Sequence, residues 1–295
     1  MIWDSNNNTN DRRWCRPFLE ISGCIGYFVA VRHSFIYVLL SVGALGCAAA
    51  PVNPSFPVTT AQAQGAIRQM RADPRRLDRP LVLIGGYLNP GIAPIYDDLF
   101  FQGVSNRSVI IPVSLGGCES FAACRKHIIA AVDAACPSAD PNWTSEVDVV
   151  GVSLGGLAAR YAAAPSADPA HPRRLRISRL FSISSPHSGS KLAQEAGFTQ
   201  FHLEMRPGSQ FLRELAASDA QASYRIYPYT LLGDDIVGEM YAAPPGMTPY
   251  WLASDAGLSH PNAMADERIL ADIARRLRDE PPFSHEPPAP LPVGR

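Results

Sequence analysis

Val147-Asp148-Val149-Val150-Gly151-Val152-Ser153-Leu154-Gly155-Gly156-Leu157-Ala158-Ala159-Arg160-Tyr161-Ala162-Ala163 is the stretch on which the fold turns. Its first four residues are mostly β-branched, the composition of a buried strand. Its last seven, rich in Leu and Ala and free of Pro and Gly, have the composition of a helix. Between them lies Gly151-x-Ser153-x-Gly155, which reads as a strand entering a helix through a turn so sharp that its flanking positions must be small. A serine on such a turn exposes its hydroxyl, and the first N–H groups of the following helix favour negative charge developing beside it. The five-residue motif alone is common by chance. Its meaning comes from the strand before it and the helix after it.

Other strands and helices flank this unit. Leu81-Val82-Leu83-Ile84 is a continuous apolar run ending in Gly85-Gly86, which suits a central strand covered on both faces. Val109-Ile110-Ile111 and Leu180-Phe181-Ser182-Ile183 are two more. A further strand, Ile226 to Leu232, contains Pro228, which lacks an N–H and belongs near a sheet edge or a strand start. A short strand is expected at Tyr250 to Leu252. Helical stretches lie at Cys118 to Ala135, Leu154 to Ala164 and Asp266 to Arg278, the last with Ile269, Leu270, Ile273 and Leu277 on one face. Strands alternating with helices predict an α/β architecture with a mostly parallel sheet.

The bulk properties narrow the function. A chain of 295 residues with 46% apolar and 18% charged side chains holds one large domain. A net charge of −1 excludes a broad basic surface for nucleic acid. No CxxC pair or His cluster has metal-ligand spacing, so neither a metal nor another cofactor is expected. Cys118, Cys124 and Cys136 allow a Cys118–Cys124 or Cys118–Cys136 disulfide in an oxidising compartment, or three reduced thiols packed as small apolar residues.

Residues 1–60 read as a signal or anchor segment followed by a Pro-rich tether. Ser34 to Gly46 has the length of a signal-peptide apolar region, is preceded by Arg32, and ends in Ala44-Leu45-Gly46-Cys47, which resembles a bacterial lipoprotein cleavage box. Export to the cell envelope is expected, either periplasmic or attached through a lipidated Cys47. The competing reading is one anchoring helix from Ile21 to Leu45 that tolerates Arg32 and His33. Residues 61–280 form the main domain, with a cap at about residues 191–223. Residues 281–295 carry six prolines up to Pro292 and are expected to be a disordered tail.

Three segments now point to a family. Val147 to Ala163 resembles the nucleophile elbow of the α/β-hydrolase superfamily, esterase/lipase branch, including bacterial triacylglycerol lipases and the GPI-inositol-deacylase-like group. Ser185-Pro186-His187-Ser188-Gly189-Ser190 is similar to the Pro-His-x-Gly-Ser segment of those lipases, and Gly85-Gly86-Tyr87 to their His-Gly turn. Val152 and Gly85 stand where these lipases usually have His. The resemblance spans Arg79 to Leu277. It implies an α/β-hydrolase fold, with a mostly parallel sheet, helices on both faces and a small cap.

It also implies a triad in the order Ser, acid, His. Leu231-Leu232-Gly233-Asp234-Asp235-Ile236-Val237 resembles the acid segment; its spacing selects Asp234, with Asp235 as the alternative. His260, between the short strand and the last helix, is the expected base. Of the other histidines, His187 is expected to shape the loop beside the site. The oxyanion hole would be the N–H groups of Leu154 and Tyr87. The implied activity is hydrolysis of carboxylic esters through an acyl-enzyme, with a small-molecule or lipid ester as substrate. Phe201, Leu203, Met205, Phe211, Leu212 and Leu215 of the cap would line an acyl pocket or form ordinary core. Thioester hydrolysis or acyl transfer on the same triad, and a non-catalytic envelope-tethered interaction module, are the rival functions.

Overall fold

The computed structural model describes residues 50–86, 101–166, 168–197, 199–219, 222–254 and 259–292. The signal or anchor segment, Cys47 and Tyr87 lie outside these residues. Six strands form one sheet: β1 (Leu81–Ile84), β2 (Ile110–Val113), β3 (Val147–Val152), β4 (Ile177–Ile183), β5 (Arg225–Leu231) and β6 (Tyr250–Leu252). Their order is β2-β1-β3-β4-β5-β6, and every neighbouring pair is parallel. The helices are α1 (Thr60–Ala72), α2 (Gln102–Val104), α3 (Phe121–Ala135), α4 (Leu154–Ala163), α5 (Lys191–Glu195), α6 (Gln200–Glu204), α7 (Gln210–Asp219), α8 (Ser259–Ala265) and α9 (Glu267–Leu277). The expected α/β class and parallel sheet are what the chain adopts.

Alternating strand residues supply two cores. Leu81, Leu83, Val150, Val152, Phe181 and Ile183 point to the face covered by α1 and α9. Val82, Ile84, Val147, Val149 and Leu180 point to the face covered by α3 and α4. A sheet buried on both sides therefore needs strands apolar at every position, and β1 is buried throughout. Local signals set the helix starts. Thr59 and Gln62 form a capping box for α1, and Asp266 accepts from Arg268 N at 2.9 Å to open α9.

Pro228 falls in the middle of β5 rather than at its start. It is tolerated because β6 has only three residues and pairs from Tyr229 onward, leaving β5 without a neighbour on that side at Pro228. Cys118, Cys124 and Cys136 are free thiols, and Cys124 is buried in the core. Among the described residues no helix is long and apolar enough to cross a membrane.

The apolar cap residues turn out to be core. Phe211 stacks on Phe121 with ring centroids 4.4 Å apart, and Phe201 meets the same ring edge-on at 5.1 Å. Leu212 and Leu215 are buried with them, so α6 and α7 are fixed to α3 through one aromatic cluster. Leu203 alone of the six is well exposed.

Both Pro-rich ends differ from the expectation of a tether and a tail. Phe56 is buried against Tyr229, and Asn53 Nδ2 donates to Trp251 O at 2.8 Å. At the other end, Trp251 Nε1 donates to Ala289 O at 2.8 Å, and His285 N donates to Ser55 O at 2.7 Å. Proline excludes these segments from helices and central strands but not from packing. What holds the C-terminal segment is Asp272, fully buried on α9. Its carboxylate accepts from Phe283 N at 2.6 Å, Ser284 N at 2.8 Å, Ser284 Oγ at 2.6 Å and Tyr229 OH at 2.8 Å, and pairs with Arg276 at 3.2 Å. Removing this acceptor strands several buried donors and one buried cation. Asp272→Ala is expected to cost about 3–5 kcal/mol in urea unfolding, and Asp272→Asn distinctly less.

Candidate active site

The site is built where backbone packs directly on backbone. A Cβ on Gly155 would lie 2.5 Å from Ile84 O, and one on Gly151 would lie 2.6 Å from Gly156. The first turn of α4 therefore rests against the end of β1, and no larger residue fits at either position. Ser153 sits on this turn with φ 51° and ψ −123°, a conformation a non-glycine residue adopts only when its surroundings impose it. Its N–H donates to Ile183 O at 2.8 Å, which ties the turn to β4. Gly86 approaches from β1, where a Cβ would come within 3.1 Å of Ser153 Cβ.

Asp234 follows β5 through a turn at Gly233, whose φ of 74° requires glycine. Its Oδ1 accepts from Ile236 N at 3.0 Å and Val237 N at 2.8 Å, which fixes the carboxylate. His260 lies in the first turn of α8, and Ser259 Oγ anchors that turn by donating to Leu232 O at 3.0 Å. The imidazole Nδ1 stands 2.9 and 3.0 Å from the two Asp234 oxygens, and Nε2 stands 3.2 Å from Ser153 Oγ. Asp234 and His260 are buried, whereas Ser153 is partly open. With Asp234 accepting, Nδ1 carries the proton and Nε2 is free to accept from the serine.

Burial alone would raise the Asp234 pKa, but the hydrogen bond and charge of His260, followed by the Val237 N–H and Ser184, outweigh it. The carboxyl is held below the usual range. Asp235, the alternative acid, points into solvent. Leu154 N–H is the first of α4, a position with no intrahelical acceptor, so it is available beside Ser153. Tyr87, the second expected oxyanion donor, lies outside the described residues.

The Pro-His loop is braced by a group the sequence reading did not single out. Arg160, fully buried on α4, donates from Nη1 to His187 Nδ1 at 3.0 Å and to His187 O at 3.1 Å, and pairs through Nη2 with Asp219 of α7. His187 Nε2 therefore carries the ring proton and donates to Ser182 Oγ at 2.7 Å. Burial, then the Arg160 charge, pushes the His187 pKa well below its ordinary value, so the ring is neutral. The signal was there: an arginine inside the otherwise apolar Leu157 to Ala163 must find buried partners. One turn earlier on the same face of α4, a Cβ on Gly156 would collide with Ser185, so the loop lies directly on the helix. Among the described residues no three of His, Cys, Asp and Glu gather as metal ligands.

Comparison with solved structures finds matches of low sequence identity. A Bacillus licheniformis lipase in propeptide form matches with 13% identity and a TM-score of 0.47, over 75% of this chain and 53% of the lipase. A metagenomic carboxyl esterase matches with 18% identity and a TM-score of 0.46, over 70% of this chain and 77% of its own. The esterase domain of a Rhodothermus marinus protein matches with 18% identity and a TM-score of 0.40, over 68% and 90%. The chain spans about half the length of the lipase. No protein-family model and no curated protein matches the sequence. On its own sheet order, turn and strand ends, the chain has an α/β-hydrolase fold.

The low Asp234 pKa has a consequence for stability. A depressed carboxyl stabilises the fold above its unfolded value of about 3.9, and that contribution is lost as pH falls through the lower folded value. The stability gap between wild type and Asp234→Asn, measured by denaturant unfolding, should therefore persist at neutral pH and close only below about pH 4.

Proposed function

We propose that the protein is a serine hydrolase that cleaves carboxylic esters, with Ser153 as nucleophile, His260 as base and Asp234 as the acid that orients it. The observation that carries this reading is the continuous contact from Asp234 through His260 to Ser153 Oγ, at 2.9 and 3.2 Å, on a turn that opens a helix. A serine hydroxyl is a weak nucleophile until a neighbouring base removes its proton, and the imidazole can do so only if its other nitrogen is held protonated. In this mechanism Ser153 Oγ attacks the ester carbonyl as its proton passes to His260 Nε2. The N–H of Leu154 stabilises the oxyanion, with Tyr87 N–H as the proposed second donor. His260 then returns the proton to the departing alcohol, and the acyl-enzyme is hydrolysed by water that His260 activates.

A lipid ester is the finer reading of the substrate, and it rests on the resemblance to lipases rather than on the cap, whose apolar side chains are mostly spent in the core. Envelope attachment through Cys47 or an N-terminal helix is a proposal from the N-terminal sequence alone.

A fluorophosphonate probe tests the nucleophile: wild type should be labelled covalently and Ser153→Ala should not. Equal labelling of the two would overturn the assignment. Ester hydrolysis tests the orienting acid. Asp234→Asn should lower kcat by about 10⁴, the loss typical when a triad histidine is left in the wrong tautomer, while Asp235→Asn should stay within a few-fold of wild type. The reverse ranking would exchange their roles.

A further inference from the structure

At the far end of α4, about 15 Å along the helix from Ser153, lies a cavity of about 270 Å³. Trp143, Arg160, Arg174, Arg176, Ser223 and Tyr224 are among its lining. Its charges are unevenly paired. Arg160 is neutralised by Asp219, and Arg176 faces Glu146 at 3.7 Å in a largely exposed pair. Asp140, the other acid in the wall, accepts from Asn142 N at 2.8 Å.

Arg174 differs. Its Nε donates to Ala163 O at 2.8 Å, capping the end of α4, and its guanidinium lies over Trp143 at 4.2 Å from the ring centre. No carboxylate among the described residues pairs with it, and its two Nη groups have no acceptor among them. Arg125, close enough to repel it, is bound among the described residues to the carbonyls of Tyr161, Ala164 and Arg173. Burial lowers the Arg174 pKa, which means its charge is partly stripped of water without a counterion in return. Burial, then Asp219, raises that of Tyr224, so the phenol stays a hydrogen-bond donor.

We propose that this cavity binds a phosphate-type oxyanion, with the free edge of Arg174 as its main contact and Arg176, Ser223 and Tyr224 as further donors. A guanidinium fork matches two oxygens of such an anion, and the hydroxyl donors suit the remaining ones better than a two-oxygen carboxylate would. The volume exceeds what bare phosphate fills, which leaves space for the small organic body of a phosphomonoester. The site is independent of the ester-cleaving reading, since it shares no residue with Ser153, His260 or Asp234.

Titration of the full chain with inorganic phosphate, at ionic strength fixed with sodium chloride, tests this. Saturable binding should appear both as a change in tryptophan fluorescence and as a rise in Tm. Arg174→Gln should weaken it about tenfold or more, because a hydrogen-bonded charge is lost. Arg176→Gln should weaken it less, and Trp143→Phe should remove the fluorescence change while keeping the thermal one. Glycerol phosphate binding more tightly than phosphate would identify a phosphomonoester; equal binding would identify the free anion. The proposal is overturned if phosphate does no more than chloride, or if Arg174→Gln binds as wild type does. Should Arg174→Gln fail to fold, unchanged affinity in both Arg176→Gln and Tyr224→Phe overturns it instead.

Discussion

The contact on which the site depends is backbone against backbone, at the junction of Gly155 with the end of β1. Because α4 starts in van der Waals contact with Ile84 O, the chain has no room to round the corner gently, and Ser153 is left in a left-handed conformation. That strain is balanced by packing on both faces of the sheet and by the bond from Ser153 N to Ile183 O. The serine hydroxyl then has one direction open to it. One further strand end, that of β5, carries both Asp234 and the Leu232 carbonyl that seats α8, and so brings the carboxylate and the imidazole to that same point. The parallel sheet matters here because all its strands finish at one end of the molecule.

How much of this could be read from the chain follows from how local each determinant is. The strand, glycine turn and helix around Ser153 are encoded within seventeen residues, so their structure was legible. Choosing Asp234 over Asp235 rested on spacing alone. The structure separates them for a physical reason, since Gly233 turns one carboxylate inward to two N–H groups and leaves the other in water. The Pro-rich ends were misread because composition reports which regular structures a segment cannot form. It does not report whether a distant carboxylate such as Asp272 will satisfy its N–H groups. The cap showed the same limit: six apolar residues fit a pocket wall or a core equally well until Phe121 is seen between Phe201 and Phe211.

Buried charge in this protein is concentrated in a few self-contained groups. Arg160 with His187 and Asp219, and Asp272 with Arg276 and Tyr229, each join elements far apart in sequence. Such groups contribute little net free energy compared with apolar replacements, yet losing one member is costly. Their value lies in geometry, because each fixes a loop or a terminal segment in one arrangement. Arg160 does this for the Pro-His loop from the same helix whose first residue follows Ser153.

The bond from His285 N to Ser55 O, with Ser55 Oγ donating to Pro287 O at 3.3 Å, places the segments that enter and leave the described unit side by side. Adjacent ends make the fold topologically close to a ring. A short linker could join them, and new ends could be opened at an exposed turn such as that around Gly117, with the sheet order kept intact. The entering segment therefore lies beside β6, where Asn53 Nδ2 donates to Trp251 O, at the border of the sheet.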